Sequence, residues 1–196
     1  MRIIAGSARG RKLFSPVGNS KKQSIRPTSD RCRESVFSIL GAETLSESRV
    51  LDLFAGTGAM GLEAISRGAG EVVFVDNSIA AITLIKRNIQ TLGFSSCQLI
   101  KRDITKGLFF LQGGREMGAK RVKKNLFDLV FLDPPYQKNY CKQVLTELVD
   151  NGLVSSGGTI VCEEHCSCEF PEEMGHLRLY DNRLYGDTGF WFYTAE

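Results

Sequence analysis

No run of apolar residues in this chain of 196 approaches the roughly 18 that a membrane-spanning helix needs. The opening stretch, MRIIAGSARGRKLF, lacks the apolar centre of a secretory signal, so the expected location is cytoplasmic. Internal repeats and low-complexity tracts are absent too. Six cysteines (Cys32, Cys97, Cys141, Cys162, Cys166 and Cys168) follow no framework spacing. In a chain large enough to bury a core without staples they read as reduced thiols. Histidine is scarce: His176 has no identifiable partner, and His165 lies among Cys162, Cys166 and Cys168 in VCEEHCSCEF. Those are zinc-ligand residue types, but the spacing is not a common zinc arrangement and Cys162 belongs to a predicted buried strand. No metal is expected.

A composition of 42% apolar and 24% charged residues suits one compact soluble domain with a small appendage. The net charge of +3 conceals an uneven distribution. Residues 1–33 carry nine Lys or Arg and one acid, a balance of +8, so the remaining 163 residues hold −5. A basic arm on a mildly acidic body points to a polyanionic partner, against the plainer alternative of a solvated N-terminus. Residues 2–14 alternate weakly, as a short hairpin with turns at Gly6 and Gly10 would. Thr28 or Ser29 caps a predicted helix with Cys32, Val36, Phe37, Ile39 and Leu40 on one face and a stop at Gly41.

From residue 49 strands and helices alternate. RVLDLF, EVVFVD, CQLI, FDLVFLD and GTIVCEE read as strands. Helices are expected over about 59–67, from Ser78 to Gly93 and over about 139–150, and LRLYDNRLYG and GFWFYTA form a final strand pair. Near-continuous apolar strands between helices give an α/β fold with a mainly parallel sheet covered on both faces. Ligands of such sheets bind at the carboxyl ends of the strands, which here carry Asp52, Asp76, Asp103 and Asp133. The basic run GGREMGAKRVKKN (113–125) interrupts the alternation as a substrate-touching loop or an unstructured insert.

VLDLFAGTGAMG contains Gly56-x-Gly58-x-x-Gly61, with Asp76 20 residues past the first glycine, the written pattern of a nicotinamide-dinucleotide site. Asp52 works against that ligand. At about 4 Å and an effective dielectric near 20, a carboxylate and a phosphate repel by roughly 4 kcal/mol. S-adenosylmethionine (SAM) has no phosphate; an acid favours its sulfonium and α-ammonium, and its carboxylate can use the N–H groups of the loop. Asp76 suits ribose hydroxyls in either ligand, and Asp103 suits an adenine amino group in the SAM reading. The glycine pattern alone also fits a tight turn that binds nothing.

Asp133-Pro134-Pro135-Tyr136 follows the fourth strand. Two prolines make a stiff shelf from which the Asp133 carboxylate and the Pro134 carbonyl can face one spot. An exocyclic base amine is a poor nucleophile because its lone pair is delocalised into the ring. Two acceptors on its N–H groups would localise that pair and align it. Tyr136 would stack on a base taken out of its pairing. A proline turn with Tyr136 in the core is the plain alternative.

Taken in order, RIIAG…RGRKL…RPTSDRCRESVFSIL, RVLDLFAGTGAMGLEAISRGA, FDLVFLDPPY and YGDTGFWFY resemble the ribosomal small-subunit RNA methyltransferase D family of bacterial guanine-N2 methyltransferases, over nearly the whole chain. The resemblance implies a Rossmann-like class I methyltransferase fold of seven strands, the last antiparallel, over 42–196, behind a basic substrate-contacting arm over 1–41. It implies SAM as cofactor, with Asp52, Ala55, Gly56, Thr57 and Gly58 at its methionine part, Asp76 and Asn77 at the ribose, and Asp103 and Ile104 at the adenine. It implies catalysis by Asp133, Pro134, Pro135 and Tyr136 on a guanine of small-subunit ribosomal RNA, free or in a small ribosomal subunit or assembly intermediate, by a monomer. Arg2, Arg9, Arg11, Lys12, Arg26, Thr28 and Arg31 are the candidate RNA contacts. Thr57 and Met60 stand where the family commonly has Ser and Leu, and the 113–125 run and VCEEHCSCEF are not features of its pattern. The competing readings are an adenine-N6 methyltransferase acting on RNA or DNA, a nicotinamide oxidoreductase, and a non-catalytic RNA-binding module. With no room for a large recognition domain, only the arm and the insert can read the substrate, which suits a shape-recognised RNA.

Overall fold

The computed structural model describes residues 1–15, 30–112, 126–136 and 139–196, so the 113–125 run, Arg26 and Thr28 lie outside the described residues. Apolar runs with no polar alternation need cover on both faces, and the chain provides it. β1 (Arg49–Leu53), β2 (Glu71–Asp76), β3 (Cys97–Lys101), β4 (Phe127–Leu132) and β5 (Val154–His165) pair in parallel in the order β3-β2-β1-β4-β5. β8 (Thr188–Ala195) adds antiparallel to β5, and β7 (Leu177–Tyr185) antiparallel to β8. The eighth member, β6 (Glu173–Met174), corrects the expected seven strands. Two residues of pairing in a polar stretch leave no periodicity for a sequence to display.

Side chains of alternate parity build two cores. Val50, Phe74, Leu129, Phe131 and Val161 face α1 (Asp30–Leu45), α2 (Ala59–Ser66) and α3 (Ile79–Leu92). Leu51, Leu53, Val73, Val130 and Leu132 face α4 (Tyr140–Asn151), whose Val144, Leu145 and Leu148 fill the other side. The local signals act as their chemistry requires. Ser78 accepts a hydrogen bond from the Ala81 N–H (3.4 Å) at the start of α3, and Gly93 closes that helix at φ 77°. Gly41, at φ 72°, breaks the helical path of α1. β5 runs longer than GTIVCEE because Val154 already pairs with Phe127, across an irregularity in register.

The arm belongs to the first core. Arg2 bridges Lys12 in a small antiparallel ribbon, and Ile3, Ala8 and Leu13 are buried with Val36, Phe37 and Leu40 of α1. Its backbone is fastened by side chains distant in sequence. Glu63 of α2, itself fully buried, accepts from the N–H groups of Ile4 (2.8 Å) and Ala5 (2.9 Å) and from Arg67 Nε (2.7 Å). Asn88 of α3 accepts from the Phe14 N–H (2.7 Å) and donates to the carbonyls of Phe14 and Thr57, both at 3.1 Å. Arg33, buried from solvent, ion-pairs with Asp30 (2.8 Å) and lies 3.9 Å from Glu63. Removing Glu63 therefore strands two backbone donors and takes a counter-charge from Arg33. Glu63→Ala is expected to cost about 3 kcal/mol, read as a lower urea midpoint, with faster amide exchange at residues 3–14; an unchanged midpoint would contradict this account.

Candidate active site at the carboxyl rim of the sheet

Parallel pairing brings the ends of five strands to one rim. Leu53 lies level with Val75 and Leu132, Asp76 with Lys101, and Leu132 with Cys162. The register thus collects Asp103, Asp76, the glycine loop, Asp133 and the Glu163–Glu164 pair in spatial order. The aspartates and the loop are legible from strand ends alone; the glutamates come from a strand that reads as plain core.

The loop after β1 opens on backbone that few side chains adopt. Phe54 has φ 58°, rare for a bulky residue, and Gly56 and Gly58 follow at φ 54° and 75°. The Ala55 N–H donates to Val75 O (3.2 Å) and the Gly58 N–H to Ala55 O (2.7 Å), which folds the loop back over β2. The three glycines do different work. A Cβ on Gly61 would fall 2.4 Å from the Phe74 ring and one on Gly58 3.1 Å from Ile85, so both positions serve close packing of helix on sheet. A Cβ on Gly56 would find only Phe54 O, at 3.8 Å; this glycine borders open space.

Two acids hold that loop. Asp52, only 3% exposed, accepts from the Gly61 N–H at 2.9 Å. Asp76 accepts from the N–H groups of Gly56 (2.9 Å) and Ser78 (2.8 Å). Burial pushes the Asp52 carboxyl up to about 7, the Gly61 bond opposing and the nearby Asp76 charge adding to the rise. Ala55 and Thr57 are buried beneath the loop, with Thr57 Oγ1 3.6 Å from Met1 Sδ. At the end of β3, Asp103 accepts from Thr105 Oγ1 (2.7 Å) and the Thr105 N–H (3.1 Å), and the Thr105 hydroxyl bond holds it below the ordinary carboxylate range. Asn77 and Asp103 border an open cleft of about 790 Å³ with Lys101, Lys106, Phe109 and Phe110, while Ile104 is buried beside it.

On the other side of the loop, Asp133 leaves β4 with its N–H 3.5 Å from Leu53 O. Pro134 is buried and Pro135 exposed, as a shelf with one face on the core would be. Asp133 is itself partly open, yet burial, with the charges of Glu163, Asp52 and Glu164, raises its carboxyl well above the ordinary range. Tyr136 is pinned by its hydroxyl, which donates to Glu163 Oε1 (3.1 Å) and lies 3.1 Å from Thr188 Oγ1, and its ring stands edge-on to His165. Glu163 and Thr188 were not among the residues that sequence reasoning selects. The available signal is a pair of adjacent acids inside an otherwise apolar strand. The turn between the last two strands supplies Thr188.

The family described as conserved hypothetical protein 95 matches residues 1–194 of the chain. Ribosomal RNA small subunit methyltransferase D of Escherichia coli K12 is 30% identical over all of this chain and 90% of its own length. Its namesake in Haemophilus influenzae is 38% identical over 83% of this chain and 78% of its own. The chain belongs to the ribosomal RNA small subunit methyltransferase D family. The solved structure of a hypothetical protein from Thermus thermophilus superposes with a TM-score of 0.76 at 30% identity, over 98% of each chain.

The charge of the arm makes its cations the candidate substrate contacts, and the structure separates them. Arg2, Arg9, Lys12 and Arg31 are exposed, Arg2 only loosely near Asp30 at 3.8 Å. Arg11 is exposed as well, but its guanidinium donates to the carbonyls of Thr91 and Leu92 (2.9 Å to the latter) and so closes the C-terminus of α3. Among the described residues no three His, Cys, Asp or Glu side chains are grouped to hold a metal ion. Cys162 is buried against Cys141, and His165 Nδ1 lies 2.7 Å from Ser167 Oγ.

The raised Asp52 carboxyl has a thermodynamic consequence. The unfolded chain releases this proton near 3.8 and the folded one near 7, so the fold loses stability as pH rises between them, by on the order of 4 kcal/mol. In Asp52→Asn the amide oxygen can still accept from Gly61 while nothing titrates. Urea denaturation from pH 4 to 8 should show the variant gaining on the wild type as pH rises, and parallel curves would refute a buried titrating acid.

Proposed function

We propose that this protein transfers the methyl group of SAM to the exocyclic N2 amine of a guanine in small-subunit ribosomal RNA, in the cytoplasm. The observation that carries the cofactor is the charge of the loop's surroundings. Asp52 and Asp76 brace it from below, and residues 54–61 contain no Lys or Arg to neutralise a pyrophosphate. A cationic ligand relieves that crowding and a dinucleotide adds to it. The open space beside Gly56 fits a ligand that approaches the backbone, so the residues present suit SAM.

In this reading Asp52, Ala55, Gly56, Thr57 and Gly58 hold the methionine part. Asp76 and Asn77 hold the ribose; Asp76 already accepts two N–H groups and keeps lone pairs for hydroxyl donors. Asp103 and Ile104 border the adenine. SAM, when bound, supplies an electrophilic methyl group on a sulfonium that leaves as a neutral thioether. Asp133 and the Pro134 carbonyl accept the two N–H bonds of the amine and so point its lone pair. The charge that develops on nitrogen is offset by Asp133, whose carboxylate takes the surplus proton. Tyr136 offers its ring to the extruded base, held still by Glu163 and Thr188. The exposed Arg2, Arg9, Lys12 and Arg31, with Arg26 and Thr28 of the same arm, contact phosphates and place the RNA without reading its sequence. The names of the 30% and 38% identical relatives support ribosomal RNA as the substrate. The choice of guanine N2 rests on the motif resemblance.

The test uses labelled SAM and undermethylated small subunits. Asp133→Ala should keep SAM affinity near wild type and lose about 100-fold or more in methyl transfer. Mass spectrometry of the RNA should find N2-methylguanine; N6-methyladenine would reassign the base. Full activity in Asp133→Ala, or tight NAD binding without SAM binding, would overturn the proposal.

A further inference from the structure

Glu163 is a buried carboxylate, 6% exposed, in the middle of a sheet. Such a group costs several kcal/mol to desolvate, and a hydrophobic residue of similar size would make a better core. Its position explains its presence. Leu132 of β4 is level with Cys162 of β5, so the next residues along, Asp133 and Glu163, sit side by side on neighbouring strands. By alternation Glu163 shares the sheet face of Val161 and Phe131, whereas Cys162 faces the α4 side. Its Oε1 accepts the Tyr136 hydroxyl at 3.1 Å, and Thr188 Oγ1 lies 3.1 Å from the same hydroxyl. The ring of Tyr136 is thus held at one end by two groups from β5 and β8.

Resting on the methyl-transfer reading above, we propose that Glu163 is a positioning residue: it fixes the Tyr136 ring beside the Asp133 shelf, and its charge makes Asp133 the group that takes the proton from the methylated amine. The bookkeeping of that proton is simple. When the amine nitrogen gains a methyl group it carries a positive charge, one N–H bond breaks, its electron pair returns to nitrogen, and the proton forms an O–H bond on Asp133. Among the described residues the groups acting on Asp133 are Glu163 and Glu164 from β5, Asp52 from β1, Tyr136 from its own segment and Cys141 from α4. Among the described residues the charged ones named here are acids, and Glu163 exerts the largest effect among them after burial itself. Like charges at close range favour the protonated form of one member, which makes it the stronger base. Glu164 sits on the opposite face and accepts from the His165 N–H at 3.0 Å, and its charge acts on Asp133 less than those of Glu163 and Asp52.

Two substitutions separate the two roles. Glu163→Gln keeps an oxygen to accept the Tyr136 hydroxyl and removes the charge. The acid limb of its kcat–pH profile should move to lower pH by about 1 unit or more, with a reduced plateau. Thr188→Val removes one hold on Tyr136 and leaves the charge, so kcat should fall with the limb in place. Glu163→Ala loses both and should lie about 10-fold below Glu163→Gln at its plateau. A readout without catalysis accompanies these: a 13C titration of the Asp133 carboxyl in the ligand-free protein, whose midpoint should fall in Glu163→Gln and stay in Thr188→Val. An Asp133 midpoint unmoved by Glu163→Gln overturns the inference, whatever the activity. A midpoint that falls in Glu163→Gln while the wild type methylates no RNA would instead strike the methyl-transfer reading and leave the Glu163–Asp133 coupling standing.

Discussion

One hydrogen bond joins sheet, loop and helix: the Gly61 N–H to the buried Asp52 carboxylate at 2.9 Å. β1 must turn sharply to feed α2 antiparallel to itself, and three residues at positive φ, Phe54, Gly56 and Gly58, carry out the turn. Backbone of that kind persists only when its surroundings over-determine it. Asp52 holds the turn from the helix side and Asp76 from β2, so the acids at the candidate site are also the struts of the loop. That double duty explains why Asp52 tolerates burial at a cost in ionisation.

The arm is tied to the same unit. Asn88 bonds both Phe14 and the Thr57 carbonyl, and Met1 lies against Thr57. The basic arm is therefore braced against the backbone of the glycine loop. Arg87 stacking over Phe14 at 3.5 Å and Arg11 closing α3 extend this seam along one helix. Part of the arm's positive charge is spent on the protein itself, in the Arg11 bonds to Thr91 and Leu92.

The fold was largely legible because its signals are local. Apolar strands, Ser78, Gly93 and Gly41 each act on their own few residues, and the motif set placed the strand-end acids. What stayed hidden depends on contacts distant in sequence. Arg11 looks like any other arm cation until Thr91 and Leu92, some 80 residues away, come within reach. Glu163 becomes part of the site through a bond to Tyr136 27 residues earlier, and Thr188 through one spanning 52. β6 is too short to have a period. The glycines were legible as a group and not individually, since only the packing of Phe74 and Ile85 separates Gly61 and Gly58 from Gly56.

β6 has a consequence for how the molecule meets its own copies. It pairs with only Leu177 and Arg178 at the start of the nine-residue β7, the outer long strand of the sheet. The rest of β7 is a poor template for a further strand. Its register with β8 shifts between Leu179 and Asp181, and the Leu179 N–H is already taken by Glu172 O at 2.7 Å. Asp181 and Arg183 then place opposite charges along it, 3.0 Å apart. A bulge, a capped beginning and charged flanks are the usual means of blunting a sheet edge against aggregation.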